Sequence, residues 1–490
     1  MELREYKKKI VRLFLNNNIL VTPEFVDQMN ETSDIDNVND LVKNNVSSEE
    51  LFLISKEIGI DEPKTEEIKD TKSVKILYSY DKPQKKKEVN DFVKYFNMRF
   101  KALEKILMQR QELTGLLPIN RILAKKEQEN VSIIGLVLDK QYTKNGNIML
   151  EVEDPSGSIK VLVSKNKEDL FEEAKDIIND EMIGINGMSG DKIVFANNIL
   201  LPDVPNNKEL KKSPDEAYAV FLSDLHVGSN EFQEKELLRF ISWLKGDLGN
   251  DDQKDISDKI SYIFIAGDLI AGVGIYPGQE DDLAIKDIYE QYNRCAEYLK
   301  MIPDHIPIII CPGNHDAMRI AEPQPPIYQD YAEALWEMPN VHMVSNPSIV
   351  NIHGDDDFPG FDVLMYHGYS FDYYIQEVES IRNNGGYDRA DLMMKFLIRR
   401  RHLAPSHKST LYIPNTDFDP LVVTTLPDFF VTGHIHKCAV AGYRNITMIC
   451  GSCWEGKTAF QEKVGHHPEP CRVPIVNLQT RNVKIMKFGD

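Results

Sequence analysis

The chain has 490 residues, of which 42% are hydrophobic and 27% are charged. This mixture is typical of globular domains and excludes a largely disordered chain, and no run approaches the ~20 apolar residues that cross a bilayer. The formal net charge of −20 argues against a protein that coats nucleic acid by bulk electrostatics, because phosphate binding needs clustered Lys and Arg. Length alone predicts about three domains.

Cysteine and histidine usage adds two expectations. Six cysteines are too few for a disulfide-built fold and indicate a reducing compartment. The N-terminal segment lacks the apolar block and cleavage site of a signal peptide, so we expect a cytoplasmic protein without a membrane anchor. All twelve histidines lie at or beyond His226, and all cysteines at or beyond Cys295. The chemistry is therefore expected in the C-terminal half.

The first ninety residues divide into two predicted segments. Residues 1–60 predict a small helical domain, because apolar side chains recur at helical spacing. The two stretches that carry this pattern contain Ile10, Leu13 and Phe14, and Leu51, Phe52 and Ile54. Residues 61–90 are charged and poor in apolar periodicity, which predicts a flexible linker.

Residues 91–205 predict a helix followed by a small barrel. Apolar residues at three- and four-residue steps indicate helix in 91–127. Alternating segments then follow, separated by the turn signals Asn145-Gly146 and 154–157, and they predict about five antiparallel strands. The spacing is similar to that of an OB-fold, which can bind single-stranded nucleic acid. Base-stacking aromatics are nearly absent from these strands, so a structural or docking barrel is favoured.

Residues 206–490 alternate apolar runs with helical patterns, which predicts an α/β domain with largely buried strands. Strands are expected at 218–223, 262–266, 306–311, 363–366 and 429–432. Later strand-like runs, at 446–450, 473–477 and 483–487, predict a second sheet packed on the first. The expected fold class is thus a multidomain α/β protein.

Five short motifs each begin within about three residues of the end of an apolar run. They are Asp224-Leu225-His226, Gly267-Asp268, Gly313-Asn314-His315-Asp316, His367-Gly368 and Gly433-His434-Ile435-His436. Loops converge at the carboxyl ends of strands in α/β sheets, so we expect one shared cleft. Each motif alone is compatible with an ordinary turn. Their combination predicts a metal site.

The motifs supply carboxylate, imidazole and amide ligands, a set that suits Mn, Fe or Zn better than Mg or a structural zinc site. The candidate ligands are Asp224, His226, Asp268, Asn314, His367, His434 and His436. In extended backbone, the two-residue step from Asp224 to His226 puts both side chains on one face. The same step separates the two histidines of the fifth motif.

A two-metal phosphoesterase site follows from this set. Metals about 3.5–4 Å apart need a bridging group, and Asp268 in a tight Gly-Asp turn suits that role. His315, beside the ligand Asn314, is the candidate to stabilise the transition state or to protonate the leaving oxygen. Asp316 is the candidate to hold His315 in place.

Other polar groups have simpler interpretations. The remaining histidines lack a strand-end context and are interpreted as surface or core residues: His305, His342, His353, His402, His407, His466 and His467. Cys450 and Cys453 have the spacing of half a zinc site, but buried thiols are favoured. The run 399–401, Arg-Arg-Arg, suits a helix C-terminus, with a phosphate contact as the alternative.

In order and spacing, the five motifs resemble the calcineurin-like metallophosphoesterase superfamily, whose fold is two stacked mixed sheets flanked by helices. The resemblance implies that one metal is held by Asp224, His226, Asp268 and His436. It implies that the second is held by Asp268, Asn314, His367 and His434. His315 matches the catalytic histidine of that superfamily.

The flanking segments 274–279, 311–325 and 432–437 are similar to those of the small subunit of archaeal D-family DNA polymerase, as is the order of OB-fold and phosphoesterase. This resemblance implies a Mn-preferring 3′-to-5′ exonuclease that proofreads for a large catalytic subunit on single-stranded or mispaired 3′ ends. A sliding clamp is one candidate partner of the N-terminal region. Eukaryotic relatives have lost the ligands, whereas every position is filled here.

Two alternatives remain open. One is a general metal-dependent phosphomonoesterase or protein phosphatase on the same scaffold. The other is a non-catalytic structural polymerase subunit, against which the intact ligand set argues. The acidity of the chain also suggests that a partner presents the DNA.

Overall fold

The computed structural model describes residues 19–21, 52–54, 73–82, 85–415 and 417–489. The chain forms two compact units, Met1–Asp70 and Thr71–Asp490. In the first unit, the short strands β1 (Ile19–Val21) and β2 (Phe52–Ile54) pair in parallel.

The helix predicted for residues 1–60 was wrong at Phe52–Ile54, which form a strand. A run of three or four apolar residues does not distinguish a short strand from a helical turn. The other stretch of that prediction, 10–14, lies outside the described residues.

The second unit contains helices and strands in alternation. The helices are α1 (Val89–Leu107), α2 (Ile119–Leu123), α3 (Glu168–Lys175), α4 (Glu234–Leu244), α5 (Asp251–Asp258), α6 (Ile288–Leu299), α7 (Gln329–Trp336), α8 (Phe371–Glu377), α9 (Glu379–Asn383), α10 (Ala390–Arg400) and α11 (Ala459–Val464). Within the described ranges, no helix has the length and apolarity needed to cross a membrane.

The strands fall into a barrel and two sheets. They are β3 (Val74–Tyr78), β4 (Asn130–Tyr142), β5 (Ile148–Asp154), β6 (Gly157–Val163), β7 (Met182–Ser189), β8 (Ile193–Leu200), β9 (Tyr218–Leu222), β10 (Ile260–Ala266), β11 (Ile308–Cys311), β12 (Val341–Met343), β13 (Ser348–Ile352), β14 (Phe361–Met365), β15 (Phe429–Thr432), β16 (Ala439–Tyr443), β17 (Ile446–Cys450), β18 (Arg472–Asn477) and β19 (Val483–Lys487).

Strands β4 to β8 close the predicted barrel in the order β4-β5-β6-β8-β7. Alternate residues of β5 and β6 point inward, and Ile133, Leu150 and Val161 are fully buried in the barrel core. The prediction of a five-stranded barrel is confirmed, but the barrel is not wholly antiparallel, because β6 and β8 pair in parallel where it closes.

The two sheets stack face to face in the phosphoesterase part of the chain. Their strand orders are β12-β11-β10-β9-β18-β19 and β16-β17-β15-β14-β13-β3. The layer between them contains Phe221 and Phe264 of the first sheet, stacked at 5.2 Å, and Phe429 of the second, 5.9 Å from Phe221. Helices cover the outer face of each sheet, so that the central strands are buried on both faces. The predicted two-sheet α/β architecture is confirmed, but the assignment of strands to the second sheet was partly wrong. Strands β18 and β19 extend the first sheet, whereas β14 and β15 join β17 in the second.

Strand β3 corrects the prediction of a flexible linker over residues 61–90. It pairs antiparallel with β13 and forms the edge of the second sheet. Ile76 and Leu77 of this strand remain 44% and 46% exposed. Backbone pairing with β13 holds the segment in place while little side-chain surface is buried, so its composition carried no strong strand pattern.

Two groups of buried polar contacts join the barrel region to the sheets. Arg99 of α1 donates through Nε to Asp419 Oδ2 at 2.5 Å, and Tyr95 Oη donates to Asp419 Oδ1 at 2.6 Å. At the end of α10, Arg400 Nε donates to Glu181 of the barrel at 2.5 Å, and Arg399 pairs with Glu173 at 3.0 Å. The arginine run 399–401 therefore serves an internal interface, which leaves the phosphate contact without structural support.

Candidate metal centre

All five motifs lie at one edge of the stacked sheets. They follow the ends of β9, β10, β11, β14 and β15, each beginning within two residues of the strand end. Strands β9, β10 and β11 run parallel to one another, as do β14 and β15. Parallel strands bring their carboxyl ends to the same edge, and the predicted shared cleft is found there.

The backbone of the motifs is not extended, contrary to our expectation. Asp224, His226 and Asp268 each have φ of 52°, and His434 and His436 have φ of 73° and 54°. Non-glycine residues in this left-handed region cost of order 1–3 kcal/mol each and cluster at functional sites. The paired side chains still reach one cleft, but through sharp turns rather than through strand alternation.

The motif glycines allow the strand ends to approach closely. A Cβ on Gly267 would collide with the His367 ring, and a Cβ on Gly313 would collide with the carboxylate and backbone of Asp268. Both glycines are therefore required by space, and Gly267, with φ of 86°, is required by conformation as well. The same close approach brings Asp268 to the centre of the cleft.

One group of donor atoms surrounds a point beside Asp224. The Nε2 atoms of His226 and His436 lie 3.0 Å apart, and His436 Nε2 is 3.6 Å from Asp224 Oδ1. His226 Nε2 is 3.8 Å from Asp268 Oδ2. The four residues that resemblance assigns to the first metal are thus brought together.

A second group of donor atoms adjoins the first. His367 Nε2 lies 3.2 Å from Asp268 Oδ2. Asn314 Oδ1 lies 3.0 Å from both His367 Nε2 and His434 Nδ1. Asp268 Oδ2 therefore faces both groups, as expected of a bridging carboxylate.

Burial and the neighbouring charges shift the pKa values of these groups far from their usual ranges. It raises the pKa of Asp224 to about 8 and lowers that of His436 to about 3. Burial also opposes charge on His367, but the carboxylates of Asp268 and Asp224 outweigh it and raise the pKa to about 10. Burial would raise the pKa of Asp268, yet the nearby histidines, His367 foremost, hold it well below its usual range.

The donor set fits a pair of divalent cations. His226 and His436 are neutral, since burial lowers the pKa of both, and they present Nε2 to Nε2 at 3.0 Å. His367 Nδ1 donates to the Ala266 carbonyl at 2.8 Å, which directs Nε2 to the cleft, where a metal ion would displace its proton. Buried carboxylates and imidazoles converging in this way are the chemistry of a transition-metal site.

His315 stands beside both groups without joining the second. Its Nδ1 donates to the Ala271 carbonyl at 2.8 Å, so that Nε2 is directed to the cleft. Its ring centroid lies 4.7 Å from that of His226. Its backbone N–H donates to Asp268 Oδ1 at 2.7 Å, which ties the histidine to the shared carboxylate.

The expectation that Asp316 holds His315 was wrong. Asp316 accepts hydrogen bonds from the backbone N–H groups of Gly313 at 2.8 Å and Leu269 at 3.2 Å, and from Tyr292 Oη at 3.1 Å. Neighbouring side chains of a tight turn point in different directions, so sequence adjacency did not predict contact. Asp316 instead fastens the two loops that carry Asp268 and Asn314, and burial raises its pKa to about 7.

Asp372, at the start of α8, is a site residue that the sequence did not reveal. Its Oδ2 accepts from His434 Nε2 at 2.9 Å, and its Oδ1 accepts from Tyr387 Oη at 2.8 Å. Burial opposes ionisation, but His434 outweighs it and holds the pKa of Asp372 at about 2. A carboxylate that orients a metal-ligating histidine is common, yet no spacing rule connects α8 to the fifth motif.

The cleft has a volume of about 230 Å³. Its wall includes residues outside the motifs, among them Tyr276, Glu455, Gln461 and His466. Gln461 faces His436 Nδ1 at 3.1 Å, and the His466 ring lies 4.1 Å from that of Tyr387. His466, which was interpreted as a surface or core histidine, is partly exposed and lies in the wall of the cleft just beyond the end of α11.

Other sequence interpretations hold. His402 is a satisfied core histidine, with Nε2 3.0 Å from Asp419 Oδ2 and Nδ1 accepting from the Ala404 N–H at 2.9 Å. Cys450 and Cys453 are free and buried, and burial raises the pKa of both thiols. They are structural thiols, as favoured.

The chain is similar in sequence to subunits of DNA polymerases. Residues 219–440, which contain all five motifs, match the family of B subunits of DNA polymerases alpha and epsilon. The chain is 37% identical over 402 residues to the DNA polymerase II small subunit of Methanothermobacter thermautotrophicus, covering 82% of this chain and 80% of that one. The chain belongs to the family of archaeal DNA polymerase II small subunits.

Relatives in this family differ in length. The small subunit of Methanocaldococcus jannaschii is 40% identical over 393 residues, which cover 80% of this chain but 64% of that relative. Among solved structures, an archaeal phosphodiesterase is 12% identical and covers 55% of this chain and 98% of its own, with a TM-score of 0.28. That score is too low for a conclusion about fold or activity.

Proposed function

We propose that this small subunit is a 3′-to-5′ exonuclease that hydrolyses DNA phosphodiesters with two divalent metal ions, Mn²⁺ preferred. The observation that carries the proposal is the pair of donor groups that share Asp268 Oδ2, with His315 Nε2 beside them. A structural subunit would have no need of seven ligand-type residues gathered in one cleft, most of them buried or at positive φ. Selection for folding alone favours apolar packing there.

The seven motif residues would hold the metals in the two groups found here. When bound, such ions supply a nucleophile from water at neutral pH and neutralise charge on the phosphate oxygens. Mn²⁺ accepts mixed carboxylate, amide and imidazole ligands, and Fe or Zn are alternatives on the same chemistry.

The protein's own groups do the remaining work. His315, anchored through Nδ1 to Ala271, can protonate the leaving 3′ oxygen through Nε2. Asp372 orients His434, and the Ala266 carbonyl orients His367. Because these partners are already in place, little reorganisation is needed when a phosphate enters the cleft.

The proposal extends to partners. The name of the family implies a large catalytic subunit of DNA polymerase II, with which this chain would form a heterodimer. The net charge of −20 opposes autonomous DNA binding, so the large subunit would deliver a single-stranded or mispaired 3′ end. A sliding clamp is a candidate partner for residues 1–60.

The activity is testable with the purified full chain in Mn²⁺, with and without the large subunit. A single strand labelled at its 3′ end should release labelled mononucleotide at once, whereas a 5′-labelled strand should shorten progressively. Asp268→Asn should reduce the rate to background, and His315→Gln should reduce kcat by about 10²- to 10⁴-fold. His342→Gln, on strand β12 away from the cleft, is the matched control and should retain full activity.

Two results would decide against the proposal. Undiminished DNA cleavage by both site variants would assign it to a contaminant. Rapid hydrolysis of small aryl phosphates together with inert DNA would favour the phosphomonoesterase or phosphatase alternative.

A further inference from the structure

A second cleft adjoins the metal centre on the side of His315. Its volume is about 590 Å³, within the range of about 300–1,000 Å³ that small-molecule sites occupy. The two clefts share part of their walls, namely Ile275, Asn314, His315 and Tyr369. A ligand that reaches the metal centre can therefore extend directly into this second cleft.

The second cleft has a different chemistry from the first. Among its described lining residues only His315 and Asp316 are titratable near neutral pH, and the oxygens of Asp316 accept hydrogen bonds from within the loops. Tyr328, Tyr331 and Tyr369 supply aromatic rings. The metal cleft, in contrast, is lined by several carboxylates.

Aliphatic side chains complete the wall and remain open to solvent. Val273, Ile275 and Ile320 are 47%, 38% and 45% exposed. From outside, Tyr289 stacks on Tyr331 with ring centroids 5.3 Å apart and planes inclined by 20°. This support holds the Tyr331 ring in place before a ligand arrives, which reduces the entropy lost on binding.

We propose that this cleft binds unpaired nucleobases of the strand whose phosphate occupies the metal centre. The inference rests on the proposed exonuclease function and specifies its substrate as a strand with stacked, unpaired terminal bases. Apart from His315, which the two clefts share, no basic side chain is among the described lining residues, and the apolar and aromatic wall is complementary to a flat, neutral ring. A phosphate at the metals leaves its attached base within one sugar of the shared wall.

The recognition expected here is tolerant of sequence. Every base has a π-face that can stack on a tyrosine, and each base–aromatic contact changes affinity by roughly 5- to 150-fold on alanine substitution. A paired terminal base cannot enter the cleft without leaving its partner. The cleft thus favours frayed or mispaired ends over fully paired ones.

The test compares two single strands, one ordinary and one with abasic tetrahydrofuran residues in place of its last nucleotides. The full chain in Mn²⁺ should cleave the ordinary strand with a KM lower by roughly 5- to 150-fold. The double variant Tyr328→Ala/Tyr331→Ala should treat both strands alike, whereas Tyr328→Phe/Tyr331→Phe, which keeps the rings, should retain the preference.

A binding measurement separates this inference from the proposed function. In the His315→Gln chain, which retains all seven candidate ligands, fluorescence anisotropy of a labelled ordinary oligonucleotide in Mn²⁺ should show tighter binding than its abasic counterpart. Tyrosine-dependent binding in this variant, together with no cleavage of DNA by the wild-type chain in Mn²⁺, would support the cleft and overturn the exonuclease proposal.

Three outcomes would overturn the cleft inference alone. One is equal KM and equal affinity for ordinary and abasic strands in the wild type. Another is an alanine variant whose activity falls by the same factor on both strands, so that the strand preference is retained. That result would indicate a structural role for the tyrosines. The third is an alanine variant that no longer binds the large subunit but keeps its strand preference, which would make the cleft a protein interface.

Discussion

The hydrogen bond from His434 to Asp372 illustrates how one carboxylate outside the motifs affects the site. It directs Nε2 of His434 to Asp372 and leaves Nδ1 toward Asn314 and the second group of donor atoms. Without the negative charge, the imidazole is a weaker metal ligand. The effect should therefore appear in metal affinity before it appears in the chemical step.

We predict that Asp372→Asn weakens Mn²⁺ binding by about 10- to 100-fold. The Mn²⁺ concentration for half-maximal exonuclease rate should rise accordingly, and activity should largely recover at saturating metal. Asp388→Asn removes a nearby exposed carboxylate that pairs with Lys437 and should leave the titration unchanged. An Asp372→Asn curve that overlays the wild type would contradict the assigned role.

The motif residues show which part of the site was predictable. Residue types and order were sufficient to identify the seven candidate ligands and to expect one cleft. The left-handed φ values of Asp224, His226 and His434 were not predictable, because they arise from the turns that follow buried strands. Asp316 was misassigned for the same reason, since a neighbour in the chain is not a neighbour in space.

Helix α1 is fastened to the sheets by a buried polar cluster around Asp419. Arg99, Tyr95 and His402 all bond this carboxylate. Burial and the nearby Arg99 charge lower the pKa of His402 to about 4, and the Ala404 N–H at Nδ1 leaves no site for a second proton. The histidine must therefore stay neutral in the folded protein.

Because His402 resists protonation only in the folded protein, the free energy of unfolding should fall at lower pH. The unfolded chain binds a proton at His402 below pH ~6.5, whereas the folded protein does so only below about 4. Folding stability from this residue is full above pH ~6.5 and falls as pH decreases through that window. The wild type should lose about 2 kcal/mol more than His402→Gln between pH 7 and pH 5.

Chemical unfolding at the two pH values measures that difference. Comparison with the variant removes the contribution of other titrating groups, which the two chains share. Parallel pH dependence in both proteins would show that His402 does not titrate differently on folding.

Whether a β-strand could be predicted from the sequence depended on how far its side chains are buried. The strands β9, β10 and β15 are completely buried and were predicted from continuous apolar runs. Edge strand β3 was taken for a linker because its centre is exposed and its order comes from hydrogen bonds to β13. Local composition reports side-chain burial, but it does not report backbone pairing.

We expect metal binding at the acidic centre to stabilise the second unit. Burial raises the pKa of Asp224 to about 8 and that of Asp316 to about 7, which reflects the cost of gathering carboxylates without cations. Ions bound to the folded state alone would offset this cost. A ligand that binds only the folded state stabilises it by about 2.7 kcal/mol when its free concentration is a hundred times its Kd.

We therefore expect Mn²⁺ to raise the thermal midpoint of the wild-type chain by a few degrees. Asp268→Asn, which removes the shared ligand, should show little or no rise. Differential scanning fluorimetry across a Mn²⁺ series measures both, with Ca²⁺ as the comparison ion. Equal shifts in the two proteins would show that the metal binds elsewhere.

Sequence patterns were sufficient to predict the barrel, the stacked sheets, the convergence of the candidate ligands in one cleft and the position of His315 beside them. These features rest on local signals: strand periodicity, turn residues and chemical type next to a strand end. Tertiary structure alone decided the partner of His434, the return of His466 to the cleft, the interface role of the arginines at 399–401 and the tyrosine cleft beside the metals. Each of these joins segments far apart in the chain, and a linear pattern carries no information about which distant segments will pack together.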